Sequence, residues 1–198
     1  MFKKGLILVC IASLLSMYQL NAQVDDFSIG PRVGLNFSSI SNIDNSKSLT
    51  GLAFGLTSTY SISESSGITV DLLASKEGYS VGDNEQKITY LQIPILFNVF
   101  FGDLGEAFRP KVYVGVVPGF LLGAKNNDVD NKDDFNGFNL GLGGGLGFNA
   151  RVASRIWLNA DLRAYLGLSD VTEFDFGEKN AISNIQPSIG LAYGLSKI

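Results

Sequence analysis

The stretch TYLQIPILFNVFF, residues 89–101, has no charged side chain and places a large apolar residue at every second position. Alternation with period two is typical of a β-strand, since successive side chains point to opposite faces of a sheet. The stretch is longer than the usual globular strand of about 5–6 residues. A strand that crosses a bilayer at a tilt needs about 9–11 residues. One face of this strand is therefore predicted to contact lipid.

The same alternation occurs in eight segments of the chain. They are 26–38, 50–62, 68–79, 87–101, 110–123, 137–150, 155–168 and 183–195. The connections alternate between more polar ones (39–49, 80–86, 124–136 and 169–182) and mostly shorter ones (63–67, 102–109 and 151–154). Outer-membrane barrels pair longer external loops with short periplasmic turns. The predicted fold is all-β, an eight-stranded antiparallel up-and-down transmembrane β-barrel, with the polar connections outside.

The two faces of these segments differ in composition. One face is aliphatic, for example at Val33, Leu56 and Ile189, and the other is mostly glycine, asparagine and serine. A soluble lipocalin-like barrel would turn its apolar face inward and need many Lys and Glu outside. Only 17% of the residues are charged, below the roughly 25% of soluble domains. The polar face is therefore predicted to fill a narrow lumen, with Pro94 on the lumen side causing a local bulge or meeting water.

Aromatic residues are predicted to form a belt at each end of the apolar face, as at the two lipid–water interfaces of membrane barrels. One belt comprises Phe27, Tyr60, Phe101, Phe148 and Tyr193, and the other comprises Phe37, Phe54, Phe120 and Phe138.

The first 22 residues are predicted to be a cleaved signal peptide. Lys3 and Lys4 precede a short apolar run, and Ala22 supplies a small residue before the cleavage point. An uncleaved anchor helix is the alternative, although the run is too short to span a bilayer. Residues 23–198 then form the barrel domain, placed in the outer membrane. The single cysteine, Cys10, leaves with the signal.

Composition argues against several function classes. The chain contains no histidine, so a Ser–His–Asp catalytic unit is impossible, and we expect neither enzyme activity nor a cofactor. Removal of residues 1–22 takes Lys3 and Lys4 and no acidic residue, so the net charge changes from −4 to −6. Without a basic patch, nucleic-acid binding is not expected.

Five charged residues are predicted to face the lumen: Arg32, Asp71, Glu77, Asp161 and Arg163. The structural interpretation is an ion-paired plug that satisfies buried charge. The functional interpretation is a gate or selectivity element of a small pore. Glycines at 141, 143, 145 and 147 are predicted to make room in the lumen for a bulky side chain opposite them on the next strand, either Trp157 or Tyr165.

The predicted outer end of the barrel is acidic. The acidic residues there are Asp128, Asp130, Asp133, Asp134, Asp170, Glu173, Asp175 and Glu178. Lys132 occupies a position that an EF-hand would fill with a ligand, so no calcium loop is predicted. The segment is expected to be a solvated loop, or alternatively to bridge lipopolysaccharide through divalent cations or to contact a partner.

Four segments together resemble the PorT family of outer-membrane barrels from Bacteroidetes. They are GPRVGLNFSSI (30–40), LLASKEGYS (72–80), YLQIPILF (90–97) and GLAYGL (190–195). The resemblance implies an eight-stranded outer-membrane barrel and, for the founding protein, a part in type IX protein secretion. Gln92, Asn98 and Glu77 depart from residues that the family often carries, namely Glu, Lys and Lys.

The expected function is therefore a non-enzymatic envelope component, secretion-associated or structural. It would be surrounded by outer-membrane lipid and lipopolysaccharide and would act through its outer loops or rim on partner proteins of the envelope or secretion machinery. A narrow channel or small-ligand-binding barrel is the alternative. A soluble periplasmic barrel is a third class, which fractionation would distinguish.

Overall fold

The computed structural model describes residues 27–43, 45–172 and 180–195, so the predicted signal peptide lies outside the described residues. The strands are β1 Phe27–Ile40, β2 Ser46–Ser61, β3 Ser66–Val81, β4 Asn84–Gln92, β5 Ile95–Phe100, β6 Phe108–Asn126, β7 Val129–Asp130, β8 Phe138–Ala153, β9 Ile156–Gly167 and β10 Ile182–Gly194. A 3-10 helix, Lys132–Asp134, lies between β7 and β8. No helix in these described ranges is long and apolar enough to cross a membrane.

The strands close into an antiparallel ring with eight positions. β4 and β5 together occupy one position between β3 and β6, and β7 pairs only with the end of β6. The ring closes where β10 pairs with β1, so Val33 lies opposite Phe54 on one side and Ile189 on the other. The predicted eight-stranded barrel is confirmed. Side chains fill the interior of a barrel of this size.

The apolar face of the ring points outward and the polar face inward, as predicted. Val33, Leu56 and Ile189 are 43%, 49% and 49% exposed. Asn36 and Ser75, which alternate with such residues, are fully buried. The interior at mid-height is therefore built from polar side chains.

The two ends of the barrel differ. We call one end the terminal rim, where Leu195 N donates to Phe27 O at 2.8 Å and where the connections are 62–65, 101–107 and 154–155. We call the opposite end the loop rim, with connections 41–45, 82–83, 127–137 and 168–181. Most of the predicted belt aromatics lie near these ends, but Phe54 pairs with Val33 halfway along β1 and therefore lies at mid-height, which corrects its predicted place in a belt. At the terminal rim the rings of Phe108 and Phe148 are tilted against each other with centroids 5.1 Å apart. At the loop rim the rings of Phe120 and Phe138 are tilted with centroids 5.5 Å apart.

The predicted bounds of two outer connections are wrong, because both connections are shorter than predicted. β1 and β2 are joined by 41–45 rather than 39–49, and β3 and β4 by the two residues 82–83 rather than 80–86. Gly82 has φ +60°, which suits the first central position of a type II′ hairpin turn. The ladder continues past the apolar belt with polar residues, for example where Lys47 pairs with Ser80. The hairpins therefore extend as strands beyond the apolar belt.

The predicted bulge at Pro94 is also wrong. Gln92 faces Gly119 and Ile95 faces Val116, so the register with β6 is the same on both sides of the proline. The carbonyl of Pro94 accepts a hydrogen bond from Asp71 N at 3.0 Å, which keeps the neighbouring strand attached. The irregularity in this region instead falls between Thr89 and Tyr90.

Candidate functional site

A cluster of charged side chains crosses the lumen at mid-height. Arg32 Nη1 lies 2.6 Å from Asp161 Oδ2, and Arg163 Nη1 lies 2.5 Å from Asp71 Oδ2. Arg32 Nε is also 3.7 Å from Asp71 Oδ2. These four residues come from β1, β3 and β9, and all are buried. Asp161 and Arg163 are two residues apart on one strand, so both point inward.

The cluster has a fifth member that the sequence analysis missed. Lys111 on β6 places Nζ 3.0 Å from Asp161 Oδ1, and its side chain is 2% exposed. The period-two pattern of β6 predicts that Lys111 points into the lumen, because it alternates with the outward Val112 and Val114. We call Arg32, Asp71, Lys111, Asp161 and Arg163 the ion cluster. Its three cations exceed its two anions by one charge.

Glu77 does not join the ion cluster, which corrects the predicted five-residue network. It follows Asp71 on β3 by six residues toward the loop rim, a rise of about 20 Å along the strand. Its Oε1 accepts hydrogen bonds from Ser75 Oγ (3.2 Å), Gln92 Nε2 (2.7 Å) and Asn184 Nδ2 (3.2 Å). All three donors are neutral.

Neutral polar side chains connect Glu77 to the ion cluster. Arg163 Nη1 donates to the Tyr165 hydroxyl at 3.2 Å, and that hydroxyl donates to Gln186 Oε1 at 3.4 Å. Gln186 Nε2 then donates to Asn36 Oδ1 at 2.7 Å, and Asn36 Nδ2 donates to Ser75 Oγ at 2.8 Å. This chain of amides and hydroxyls satisfies buried polar atoms over the middle of the lumen.

Apolar side chains close the lumen at the loop rim, a feature absent from the sequence analysis. We call this group the apolar cap: Ile40, Ile88, Tyr90, Leu121, Ala124, Phe135, Val171 and Ile182. Phe135 and Val171 come from connections rather than barrel strands and are buried. Asn136 fixes the two connections together, since its amide donates to Asp170 O (3.1 Å) and Thr172 O (2.8 Å).

An arginine lies inside the terminal rim. The guanidinium of Arg109 lies 4.3 Å from the centre of the Phe100 ring and donates a hydrogen bond to the carbonyl oxygen of Glu64. Beside it is a cavity of about 20 Å³, the size of one water. Trp157 and Asn149 line the same cavity.

The glycines of β8 make room for two tyrosines. A Cβ at Gly143 would lie 3.1 Å from the Tyr165 ring, and one at Gly145 would lie 2.6 Å from the Tyr113 hydroxyl. The predicted role for Tyr165 is confirmed. The role proposed for Trp157 belongs instead to Tyr113 on β6, because Tyr113 pairs directly with Gly145.

The acidic residues of the loop rim differ in their surroundings. Asp128, Asp130, Asp133 and Asp134 are exposed. Asp170 is only partly exposed, and its Oδ1 accepts hydrogen bonds from Thr172 N (3.0 Å) and Thr172 Oγ1 (2.8 Å), so it stabilises a turn. Glu173, Asp175 and Glu178 lie outside the described residues. Within the ranges that the structure describes, no three acidic, His or Cys side chains group as a metal site.

A closed antiparallel ring with an apolar outer face and a polar, filled interior is typical of a transmembrane β-barrel. Residues 18–173 match the family described as outer membrane protein beta-barrel domain, and the chain belongs to that family. The family indicates an outer-membrane location. A search of characterised protein sequences found no match.

Three solved structures show the same fold at low sequence identity. Neisserial surface protein A (NspA) is similar with a TM-score of 0.60 and 17% identity, covering 84% of this chain and 96% of that one. OprG from Pseudomonas aeruginosa has a TM-score of 0.53 and 16% identity, covering 89% and 99%. Outer membrane protein W of E. coli has a TM-score of 0.53 and 14% identity, covering 88% and 100%.

Proposed function

We propose that this protein is a non-enzymatic outer-membrane barrel with a closed lumen, which acts on partner proteins through its loop rim. The observation that carries the proposal is the double closure of the interior. The ion cluster fills the middle of the lumen, and the apolar cap covers it at the loop rim. A barrel closed in this way presents its outer surface and its rims for interaction. The outer face would contact lipid and lipopolysaccharide.

The contact surface that we propose on the loop rim is the segment 127–137. Asp128, Asp130, Asp133 and Asp134 give it a negative charge. Val129 lies among them with 69% of its surface exposed. An exposed apolar side chain within a charged rim is a common feature of interaction sites. A partner that fits this segment carries a basic surface with an apolar contact at its centre.

The specific role that we propose for these partner contacts is in protein secretion. Its support is the resemblance of residues 30–40, 72–80, 90–97 and 190–195 to the PorT family, which implies a part in type IX secretion. Export through the signal peptide at residues 1–22 belongs to the same proposal. A narrow channel or ligand barrel is the second candidate, and the small cavity inside the loop-side half of the lumen favours it.

Site-specific photo-crosslinking tests the proposal. A photoreactive residue at Val129 or Asp133 is expected to capture a distinct envelope protein in intact cells. The same residue at Phe97, which faces lipid, is the matched control and should capture none. Equal labelling at Phe97 and Val129, together with single-channel currents from the purified protein, would favour the channel instead.

A further inference from the structure

The loop-side half of the lumen contains a cavity beside Glu77. Its volume is about 20 Å³, which is room for one water-sized or ion-sized occupant. Five strands contribute the polar side chains that line it: Glu77, Gln92, Asn139, Tyr165 and Asn184. We call this cavity the Glu77 chamber.

The charge of Glu77 has no partner in the described part of the chain. The residue is 4% exposed, and the ion pairs of the lumen join Arg32, Lys111 and Arg163 only to the two aspartates of the ion cluster. A buried carboxylate without a counter-charge is costly. The chamber therefore favours an occupant that carries positive charge.

The oxygen atoms around the chamber indicate what kind of occupant fits. Gln92 and Asn184 both use their amide nitrogens to donate to Glu77 Oε1. Their own oxygens, Gln92 Oε1 and Asn184 Oδ1, are buried and receive no hydrogen bond from the part of the chain that the structure describes. These residues are 6% and 3% exposed. Glu77 Oε2 likewise receives no hydrogen bond from the described residues.

Three acceptor oxygens from β3, β4 and β10 thus have no donor among the described residues, and the residues that carry them line one small cavity. A water molecule has only two hydrogens to donate, whereas a hard cation binds carboxylate and amide oxygens together. One carboxylate neutralises one positive charge. A divalent ion would leave the chamber with one excess positive charge. The geometry and the charge balance therefore both favour a monovalent ion.

We propose that the Glu77 chamber binds one small monovalent cation of the size of Na⁺, held by the carboxylate of Glu77 and the amide oxygens of Gln92 and Asn184. The apolar cap lies between this site and the loop rim, and its member Ile182 lines the chamber. The bound ion then links three strands that are distant in sequence. Its binding stabilises the folded barrel over the unfolded chain, because only the folded barrel assembles the three oxygens.

The test uses the folded, full-length protein in zwitterionic detergent. The protein is exchanged into choline chloride, and NaCl replaces choline at constant chloride concentration. We expect the unfolding midpoint to rise with Na⁺ and to follow a saturable binding curve. We expect the sodium NMR signal to broaden over the same concentration range. Choline serves as the matched cation, because it is too large for the chamber.

Three variants make the test specific. Glu77→Gln should abolish both the midpoint shift and the line broadening. Gln92→Met, which removes one ligand, should weaken Na⁺ binding by roughly tenfold, the effect of about 1.4 kcal/mol. Glu85→Gln removes an exposed carboxylate of the same hairpin and should leave the response unchanged.

The proposal is overturned if wild-type midpoints in Na⁺ and choline coincide without line broadening, which would mean that the chamber holds water alone. It is also overturned if Glu77→Gln keeps the full response. Should Glu77→Gln fail to fold, Gln92→Met and the wild-type titration decide the outcome, because an unchanged affinity in Gln92→Met contradicts the proposed ligand set.

Discussion

At the scale of single residues, the ion cluster makes charge removal costly. Arg163→Met leaves Asp71 buried without its closest partner, so we expect a loss of about 3–5 kcal/mol in the free energy of unfolding. The double variant Asp71→Asn/Arg163→Met removes both charges and should lose less than the single one. Unfolding in denaturant, followed by tryptophan fluorescence, measures both.

The exposed pair of Lys87 and Glu85 is the matched control. Their side chains are 46% and 49% exposed, so Lys87→Ala should leave the free energy of unfolding close to that of the wild type. A cost for Arg163→Met no larger than that for Lys87→Ala would contradict the described role of the ion cluster.

A glycine of β8 gives a second prediction at this scale. A Cβ at Gly145 would overlap the carbonyl oxygen of Leu162 and the Tyr113 hydroxyl, whereas a Cβ at Gly123 meets nothing within 4 Å. Gly145→Ala should therefore destabilise the barrel by about 1–3 kcal/mol, and Gly123→Ala by less than about 0.5 kcal/mol. Equal unfolding midpoints for the two variants would show that β8 shifts freely to accept a side chain.

The sequence predicted which side chains point inward better than it predicted where along the barrel axis they lie. Period two alone places Arg32, Asp71 and Arg163 on one face. It does not give their position along the barrel axis, which depends on strand pairing and tilt. For that reason Glu77 was grouped with the ion cluster although it lies closer to the loop rim. The same period also places Lys111 on the inner face, because it alternates with the outward Val112 and Val114.

At the scale of elements, the strands were predictable and the connections were not. The apolar alternation stops at the edge of the lipid-facing belt, while the hydrogen-bond ladder continues with polar residues such as Lys47 and Ser80. Hydrophobic periodicity therefore underestimates strand length at the loop rim. The Pro94 bulge failed for a related reason. Proline has no N–H to donate to the ladder, but the Pro94 carbonyl accepts a hydrogen bond from Asp71 N and keeps β3 attached.

The connection that carries Phe135 gives a prediction at this scale. Phe135 is 5% exposed and anchors segment 127–137 in the apolar cap. Phe135→Ala should release this segment, so limited proteolysis at 127–137 should be at least several times faster than in the wild type. Val129→Ala, which alters an exposed side chain of the same segment, is the control and should leave the cleavage rate unchanged.

At the scale of the whole molecule, the count of eight alternating segments was enough to predict a closed ring. A sheet with one apolar and one polar face can shelter its polar face from lipid by closing into a barrel. The apolar cap was not predictable, since Phe135 and Val171 belong to connections whose docking has no periodic signal.

The closed ring predicts two properties of the purified protein. The unboiled barrel should migrate differently from the boiled chain in a detergent gel. The wild type in planar bilayers should show no stable single-channel current, because the ion cluster and the apolar cap both obstruct the lumen. Regular channel openings at low voltage in the wild type would contradict this account of the interior.

The pairing of β1 with β10 also determines the order in which the barrel can be built. Arg32 reaches Asp161 only after the last hairpin has met the first strand. Until then, an incomplete sheet in the bilayer would hold the charges of β1, β3 and β9 apart and open to lipid. Stepwise insertion of single hairpins is therefore unfavourable for this chain. Assembly must keep the growing inner face sheltered until the final strand arrives, and closure neutralises these charges in one late step.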